Sequence, residues 1–293
     1  MPPVVLPGAG REGERPMEEL MRRAVRALET AGDMDAEADA RWLMCAALDC
    51  APGALRFHAA PDARQRGRFL EMLERRANGE PLQYVLGDQP FCGRSFRADP
   101  RALIPRPETE EVCLKALELL RGVRSPEVLD VGTGTGVLAV TIALERPDAR
   151  VTAVDISPDA LALAGENARA LGARVELCRG DLYAPVAGRR FDMIVSNPPY
   201  LTAEDMENLQ PEVRREPALA LYGGPDGLDV YRALAAGAGE LLRPEGRMVL
   251  EVGQGQAREV RALLAAGFEH TDVYLDINGT ERIVCAHRPR ARA

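Results

Sequence analysis

An α/β domain on a mostly parallel sheet, preceded by a small helical bundle, is the architecture this sequence predicts. Three observations predict it. Apolar residues recur at helical spacing from residue 16 to about 79. From residue 108 onward short apolar runs alternate with helical periods, the pattern of a parallel sheet covered on both faces. Between the two, residues 81–107 break into short apolar pieces separated by glycine and proline. At 293 residues the chain has room for one large core and one small one.

The helical part reads as three elements. Leu20, Ala24, Val25 and Leu28 share a face of the first, with Glu18 and Arg22 one turn apart on the other. Gly32-Asp33 ends it. Residues 35–48 form a second helix carrying Trp42, Leu43 and Ala47, and Pro61-Asp62 opens a third with Phe69, Leu70 and Leu73 inward. Each is too short to stand alone, so they should pack together. Tyr84-Val85-Leu86 and Ser95-Phe96 suggest a hairpin linking the domains. Strands are then expected at 127–131, 150–154, 174–178, 191–195 and 246–252, with helices at 137–145, 158–171, 227–242 and 256–266. Residues 269–275 and 281–286 should close the chain as an antiparallel pair. The domain plan is a tail at 1–15, a helical domain at 16–80, a hairpin linker at 81–107, a main domain at 108–288 and a tail at 289–293.

Composition narrows the function. Hydrophobic residues at 46% and charged ones at 28% rule out a wholly disordered chain. No apolar run approaches the ~18 residues of a membrane span, so no membrane partner is expected. Residues 1–16 offer only Val4-Val5-Leu6 between prolines, well short of the ~7–15 apolar residues at the centre of a signal peptide. A cytoplasmic protein is expected. The net charge of −8 disfavours direct binding to nucleic acid, which usually shows a basic excess or stripe. Six cysteines form no CxxC pair and three histidines are scattered, so no metal site or redox pair is spelled out.

The chemistry sits at the ends of the strands. The first strand breaks into Gly132-Thr133-Gly134-Thr135-Gly136 before a helix. Glycines let the backbone turn tightly and let a ligand lie against it. The G-x-G-x-G spacing lacks the third glycine of a pyrophosphate site, because Val137 stands there, and suits a nucleoside without phosphate. Asp155 ends the second strand nineteen positions after Gly136, placed to accept the ribose hydroxyls. After the third strand, Asp181 is suited to accept from an adenine amine and Leu182 to lie against the ring; a bare surface turn is the other reading of that pair. The fourth strand runs into Ser196-Asn197-Pro198-Pro199-Tyr200. Two prolines fix φ and remove two N–H donors, leaving rigid carbonyl acceptors, and the Asn197 side-chain oxygen adds another. Such acceptors hold both hydrogens of a planar NH2 group and return electron density to a poorly nucleophilic nitrogen. Tyr200 offers a flat face for the substrate or for a cationic methyl donor.

These residues resemble the S-adenosylmethionine-dependent amino-methyltransferases marked by an Asn-Pro-Pro-Tyr tetrad, and within them the release factor N5-glutamine methyltransferase family. The resemblance runs through QYVLG…F-x-G-x-x-F at 83–96, LIPRPETE at 103–110 and DVGTGTG at 130–136. It continues through NPPY at 197–200, REPALALYGGPDGLDVYR at 215–232, LEVG at 250–253 and D-x-N-G-x-x-R at 276–282. It implies a Rossmann-like class I methyltransferase sheet with a small N-terminal helical bundle joined by a β-hairpin. It also implies S-adenosyl-L-methionine as methyl donor, S-adenosyl-L-homocysteine as product, and transfer to the glutamine N5 of the Gly-Gly-Gln motif in class I peptide chain release factors. By position, Gly132, Thr133, Gly134, Thr135, Gly136, Asp155, Asp181, Leu182 and Asn197 fall on the cofactor side. Asn197, Pro198, Pro199 and Tyr200 fall on the glutamine side, with Asn197, Pro198 and Tyr200 as the catalytic set. The helical domain is implied to contact the release factor, with residues 83–96 bridging the domains.

Two departures stand out. Leu182 replaces an aromatic beside the adenine in some members, and Leu275 stands where a lysine often precedes the D-x-N-G turn. Arg106, Glu108 and Glu110 read equally as the lining of the donor's methionine end or as a loop and first helical turn. Glu216 and the 222–227 loop read equally as a lid or as a structural turn. An amino-methyltransferase for DNA or ribosomal RNA bases shares the tetrad but calls for a basic surface or recognition domain. A non-catalytic sensor would have no need of the acceptor cluster.

Overall fold

The computed structural model describes residues 16–290; the tail expected at 1–15 and the last three residues lie outside them. The chain divides into two compact units. The first comprises residues up to Gly87 together with the segment 211–215, the second the remainder.

In the first unit, α1 (Pro16–Thr30), α2 (Ala36–Leu48) and α3 (Ala63–Ala77) pack around Leu20, Leu28, Leu43, Met44, Phe69 and Leu73. A short 3-10 turn spans Pro52–Phe57. Asp62 caps α3 by accepting from the Gln65 N–H while the Gln65 side chain accepts from the Asp62 N–H. Of the residues carried by α2, Leu43 and Ala47 are buried and Trp42 is 43% exposed. Tyr84-Val85-Leu86 is not a strand. Leu82–Leu86 forms a helical turn, α4, between Pro81 and Gly87, and Gly87 ends it at φ 87. The alternation was too short to separate the two periods; burial of Val85 in the bundle core decides it.

Arg76 is the polar centre of this unit. It donates from Nε to Asp39 and pairs with Asp33 and Glu212, with only 5% of its side chain exposed. Burial pushes the Asp39 carboxyl up to about 6 against the pull of Arg76.

The second unit opens with the hairpin β1 (Asp88–Phe91) and β2 (Arg94–Arg97), closed by Phe91 and Phe96 meeting edge to face at 5.9 Å. The elements α5 (Pro107–Leu119), β3 (Glu127–Val131), α6 (Val137–Glu145), β4 (Arg150–Asp155), α7 (Pro158–Leu171), β5 (Val175–Arg179) and β6 (Phe191–Ser196) follow. Then come α8 (Ala203–Glu207), α9 (Asp229–Leu241), β7 (Leu242–Glu251), α10 (Ala257–Ala265), β8 (Phe268–Leu275) and β9 (Glu281–Pro289). The seven-stranded sheet has the order β5-β4-β3-β6-β7-β9-β8. The first five strands in that order are parallel, and β9 pairs antiparallel with both β7 and β8.

Alternate strand residues enter opposite cores. Val128, Val151 and Val195 join α5 and α6 on one face, whereas Leu129, Val154 and Ile194 join α9 and α10 on the other. Helix α5 extends beyond the first turn that one reading of residues 106–110 gives, because Val112, Cys113 and Ala116 carry it onward into the core. Strand β7 starts four residues earlier than expected, and β9 runs on to Pro289, where Arg290 donates to the carbonyls of Gly267 and Phe268. Among the described residues no helix is long and apolar enough to cross a membrane.

Replacing Arg76 by alanine leaves Asp39 buried and unpaired. It should lower stability by about 3–5 kcal/mol in a urea melt; a loss below about 1 kcal/mol would show that the acids do not depend on it.

Candidate active site

Strand order places the site. The chain fills the sheet outward from β3 to β5, then returns to the other side of β3 with β6, so the carboxyl ends of β3 and β6 flank the point of reversal. The glycine turn follows β3 and the Asn-Pro-Pro-Tyr segment follows β6. Ser196 locks the two ends together by donating from Oγ to the Val131 carbonyl at 2.6 Å.

The glycine turn is braced from beneath. The N–H groups of Gly132 and Thr133 both donate to the Val154 carbonyl, at 2.8 and 3.0 Å. Thr133 Oγ1 donates to the fully buried Asp130 at 2.6 Å, and burial pushes the Asp130 carboxyl up to about 7. Gly132, Gly134 and Gly136 all have positive φ. Gly136 does different work from its neighbours. A Cβ there would lie 3.0 Å from Ala164 Cβ, so its bareness lets α6 approach α7.

A cavity of about 230 Å³ lies over this turn. Its wall includes Gly132, Thr133, Gly134, Thr135, Asp155, Asp181, Leu182, Asn197, Pro198 and Pro199, so the nucleoside and acceptor halves read from the sequence open into one space. Gly136 is not on the wall. Asp155 accepts from the Gly134 and Ser157 N–H groups, each at 2.9 Å, and burial raises its pKa. The carboxylate keeps lone-pair capacity for a ligand hydroxyl. Leu182, at φ 44, and the 48% exposed Ile156 give the wall its apolar part beside the two acids.

The acceptor segment is held from three sides. Asn197 Nδ2 donates to Thr109 Oγ1 at 3.1 Å, and Thr109 Oγ1 donates to Glu251 Oε2 at 2.6 Å. Gln256 Nε2 donates to the Tyr200 carbonyl at 3.0 Å. Leu201 exchanges backbone bonds with Leu221 and Gly223, each 2.9 Å. The Pro198 carbonyl accepts no bond from the protein among the described residues. Of the rigid carbonyl acceptors expected at the two prolines, that of Pro199 lies against Gly223; the next carbonyl along, that of Tyr200, is taken by Gln256. Tyr200 lies off the cavity wall, packed toward Gly253 and the core, and burial pushes its phenol up to about 12.

The undecided residues separate cleanly. Arg106 is on the wall, paired with the buried Glu216, which also accepts from the Ile104 N–H at 2.9 Å. Glu110 accepts from the Cys92 N–H at 2.8 Å and so anchors the hairpin. The 222–227 loop rests on the backbone of the tetrad: a Cβ on Gly223 would lie 2.6 Å from the Pro199 oxygen, and one on Gly227 would lie 2.3 Å from that of Tyr200. The D-x-N-G stretch is a turn off the wall, in which the Asp276 side chain accepts from the Asn278 and Thr280 N–H groups. Sequence reasoning assigned nothing to Thr109, Glu251 or Ile156. An acid between Leu250 and Val252 in an apolar strand was the available signal for Glu251.

Comparison with known proteins gives the family. Family models described as Methyltransferase small domain and PrmC N-terminal domain match residues 111–213 and 19–87. The release factor glutamine methyltransferase of Cereibacter sphaeroides is 45% identical over 280 residues, covering 93% of this chain and 99% of that protein. That of Deinococcus radiodurans is 43% identical over 276 residues, covering 93% and 98%. Among solved structures, a methyltransferase from Pyrococcus furiosus has a TM-score of 0.53 at 20% identity, covering 68% of this chain and 91% of that one. A T. Thermophilus 16S rRNA methyltransferase in complex with AdoMet and guanosine has a TM-score of 0.53 at 23% identity, covering 69% and 49%. Those two likenesses concern the fold alone. The family model and the relatives define a methyltransferase. The chain belongs to the release factor glutamine methyltransferase family.

Substituting Gly223 by alanine should push the tetrad backbone out of place. Methyl transfer should fall by roughly 100-fold, as when a positioned acceptor is misplaced by about 1 Å, while the melting temperature drops only a few degrees; unchanged turnover would show that the loop does not brace the tetrad.

Proposed function

We propose that this enzyme transfers a methyl group from S-adenosyl-L-methionine to the N5 amide nitrogen of the glutamine in the Gly-Gly-Gln motif of class I peptide chain release factors, in the cytoplasm. The observation that carries the reading is the single cavity that joins the glycine turn and Asp155 to Asn197 and Pro198. High identity to curated release factor glutamine methyltransferases along nearly their whole length supports the substrate.

The residues fit an uncharged-ribose nucleoside. Gly132 and Gly134 present bare backbone, Asp155 and Asp181 offer acceptor oxygens, and Leu182 and Ile156 offer apolar contact for a base. When bound, S-adenosyl-L-methionine supplies an electrophilic methyl on a sulfonium, and S-adenosyl-L-homocysteine remains. Everything else falls to this chain. A glutamine amide nitrogen is a weak nucleophile because its lone pair is delocalised into the carbonyl. Asn197 Oδ1 and the Pro198 carbonyl accept its two N–H bonds, hold it in the plane that aims the lone pair at the methyl, and stabilise the positive charge that develops on nitrogen. Asn197 is tethered through its Nδ2 to Thr109 and Pro198 has a fixed φ, which supports a step with little reorganisation. Asn197, Pro198 and Pro199 stand at the glutamine end, with Tyr200 packed behind them. The surplus proton leaves to water.

Incubation of the enzyme with labelled donor and a purified class I release factor, followed by mass spectrometry, should show one added methyl on the Gly-Gly-Gln peptide and none on ribosomal RNA or DNA. Asn197→Ala should lower transfer by about 100- to 1000-fold with donor binding retained. Transfer to nucleic acid instead, or undiminished transfer by the variant, would overturn the assignment.

A further inference from the structure

The carboxylate of Glu251 is buried at the carboxyl end of β7, with 1% of the residue exposed, and has no place in the chemistry above. It is joined to that chemistry through one hydroxyl. Thr109 Oγ1 lies 2.6 Å from Glu251 Oε2 and 3.1 Å from Asn197 Nδ2. Resting on the function proposed above, we infer that Glu251 is a positioning residue: through Thr109 it fixes which end of the Asn197 amide faces the acceptor nitrogen.

The number of available protons decides the orientation. A threonine hydroxyl has one proton to give and lone pairs to receive with, and an ionised carboxylate can only receive. The Thr109 proton therefore goes to Glu251. What remains on Thr109 Oγ1 toward Asn197 is a lone pair, so the end of the amide turned to Thr109 must be the NH2. The oxygen Oδ1 is left for the substrate. A protonated Glu251 reverses the chain. It donates to Thr109, the Thr109 proton becomes free to bond Oδ1, and the NH2 end turns toward the substrate, where donor meets donor. Burial pushes the Glu251 carboxyl up to about 7, with the Thr109 hydrogen bond, Arg282 and Arg106 pulling it down and Glu108 pushing it up. Tyr200 and Tyr231 also face it, and the Tyr231 hydroxyl donates to the Glu251 backbone carbonyl at 2.9 Å. The orientation should therefore change over near neutrality: kcat falls as pH drops through about 7, while the affinity for the donor is little changed.

The test pairs kinetics with a probe that needs no substrate. Thr109→Val keeps the shape and removes both bonds, so kcat should fall roughly 10-fold or more, short of the ~100-fold loss of a whole oxyanion-type contact, with donor affinity within about twofold. Thr109→Ser restores the hydroxyl and should restore kcat. Glu251→Gln should flatten the acid limb of the kcat profile. In 15N-labelled enzyme without substrate, the Asn197 side-chain NH2 resonances should shift between pH 6 and 8 in the natural protein and in Thr109→Ser, but not in Thr109→Val. A Thr109→Val enzyme with full kcat, or a serine variant as slow as the valine one, would overturn the inference, as would an Asn197 resonance indifferent to pH. Absence of transfer to release factor by the natural enzyme would instead count against the function, because the resonance reads the relay independently.

Discussion

The amide of Asn197 is the group on which the rest of the structure converges. It stands at the tip of β6, beside the end of β3, and those two strands flank the reversal of the sheet. An amide has a donor end and an acceptor end of nearly equal shape, so location alone does not say which the cavity receives. The part-buried bond from Asn197 to Thr109 and the buried one from Thr109 to Glu251 supply that information. In the interior such bonds are short of competitors, so the orientation holds without substrate.

Around this point the protein stiffens backbone rather than adding charge. Pro198 and Pro199 fix φ and withhold N–H groups. Gln256 holds the same backbone by a hydrogen bond, and Gly223 and Gly227 of the 222–227 loop abut it so closely that neither has room for a side chain. Beneath the glycine turn, Val154, Asp130 and Asp155 accept from successive backbone or hydroxyl donors. The consequence is a cavity whose glycine turn and acceptor segment are braced by the protein itself, with Asp155 already engaged with backbone and Arg106 and Asp181 as further charged groups on the wall. That suits a reaction in which geometry and electrostatics, rather than a shuttled proton, lower the barrier.

Much of this was legible in the sequence because it rests on local rules. Period-2 and period-3.6 runs separated the sheet from its helices, and the spacing from glycine turn to Asp155 placed both on one edge. The glycine half and Asn197 with Pro198 were named by position and do share a wall. What escaped depends on tertiary contact. Tyr84-Val85-Leu86 is as apolar as a strand, and only its burial among helices makes it helical. Gly136 belongs to the motif, yet its neighbour is Ala164, twenty-eight residues away in α7. Thr109 and Glu251 come from α5 and β7, separated by 142 positions, and no local spacing links them.

The chemistry depends on where the target nitrogen is held. A crystal structure of the enzyme with S-adenosyl-L-homocysteine and a release factor bearing an intact Gly-Gly-Gln motif measures this directly. The glutamine amide nitrogen should lie within about 3.2 Å of both Asn197 Oδ1 and the Pro198 carbonyl. A nitrogen bound by neither oxygen, or by the NH2 end of Asn197, would contradict it.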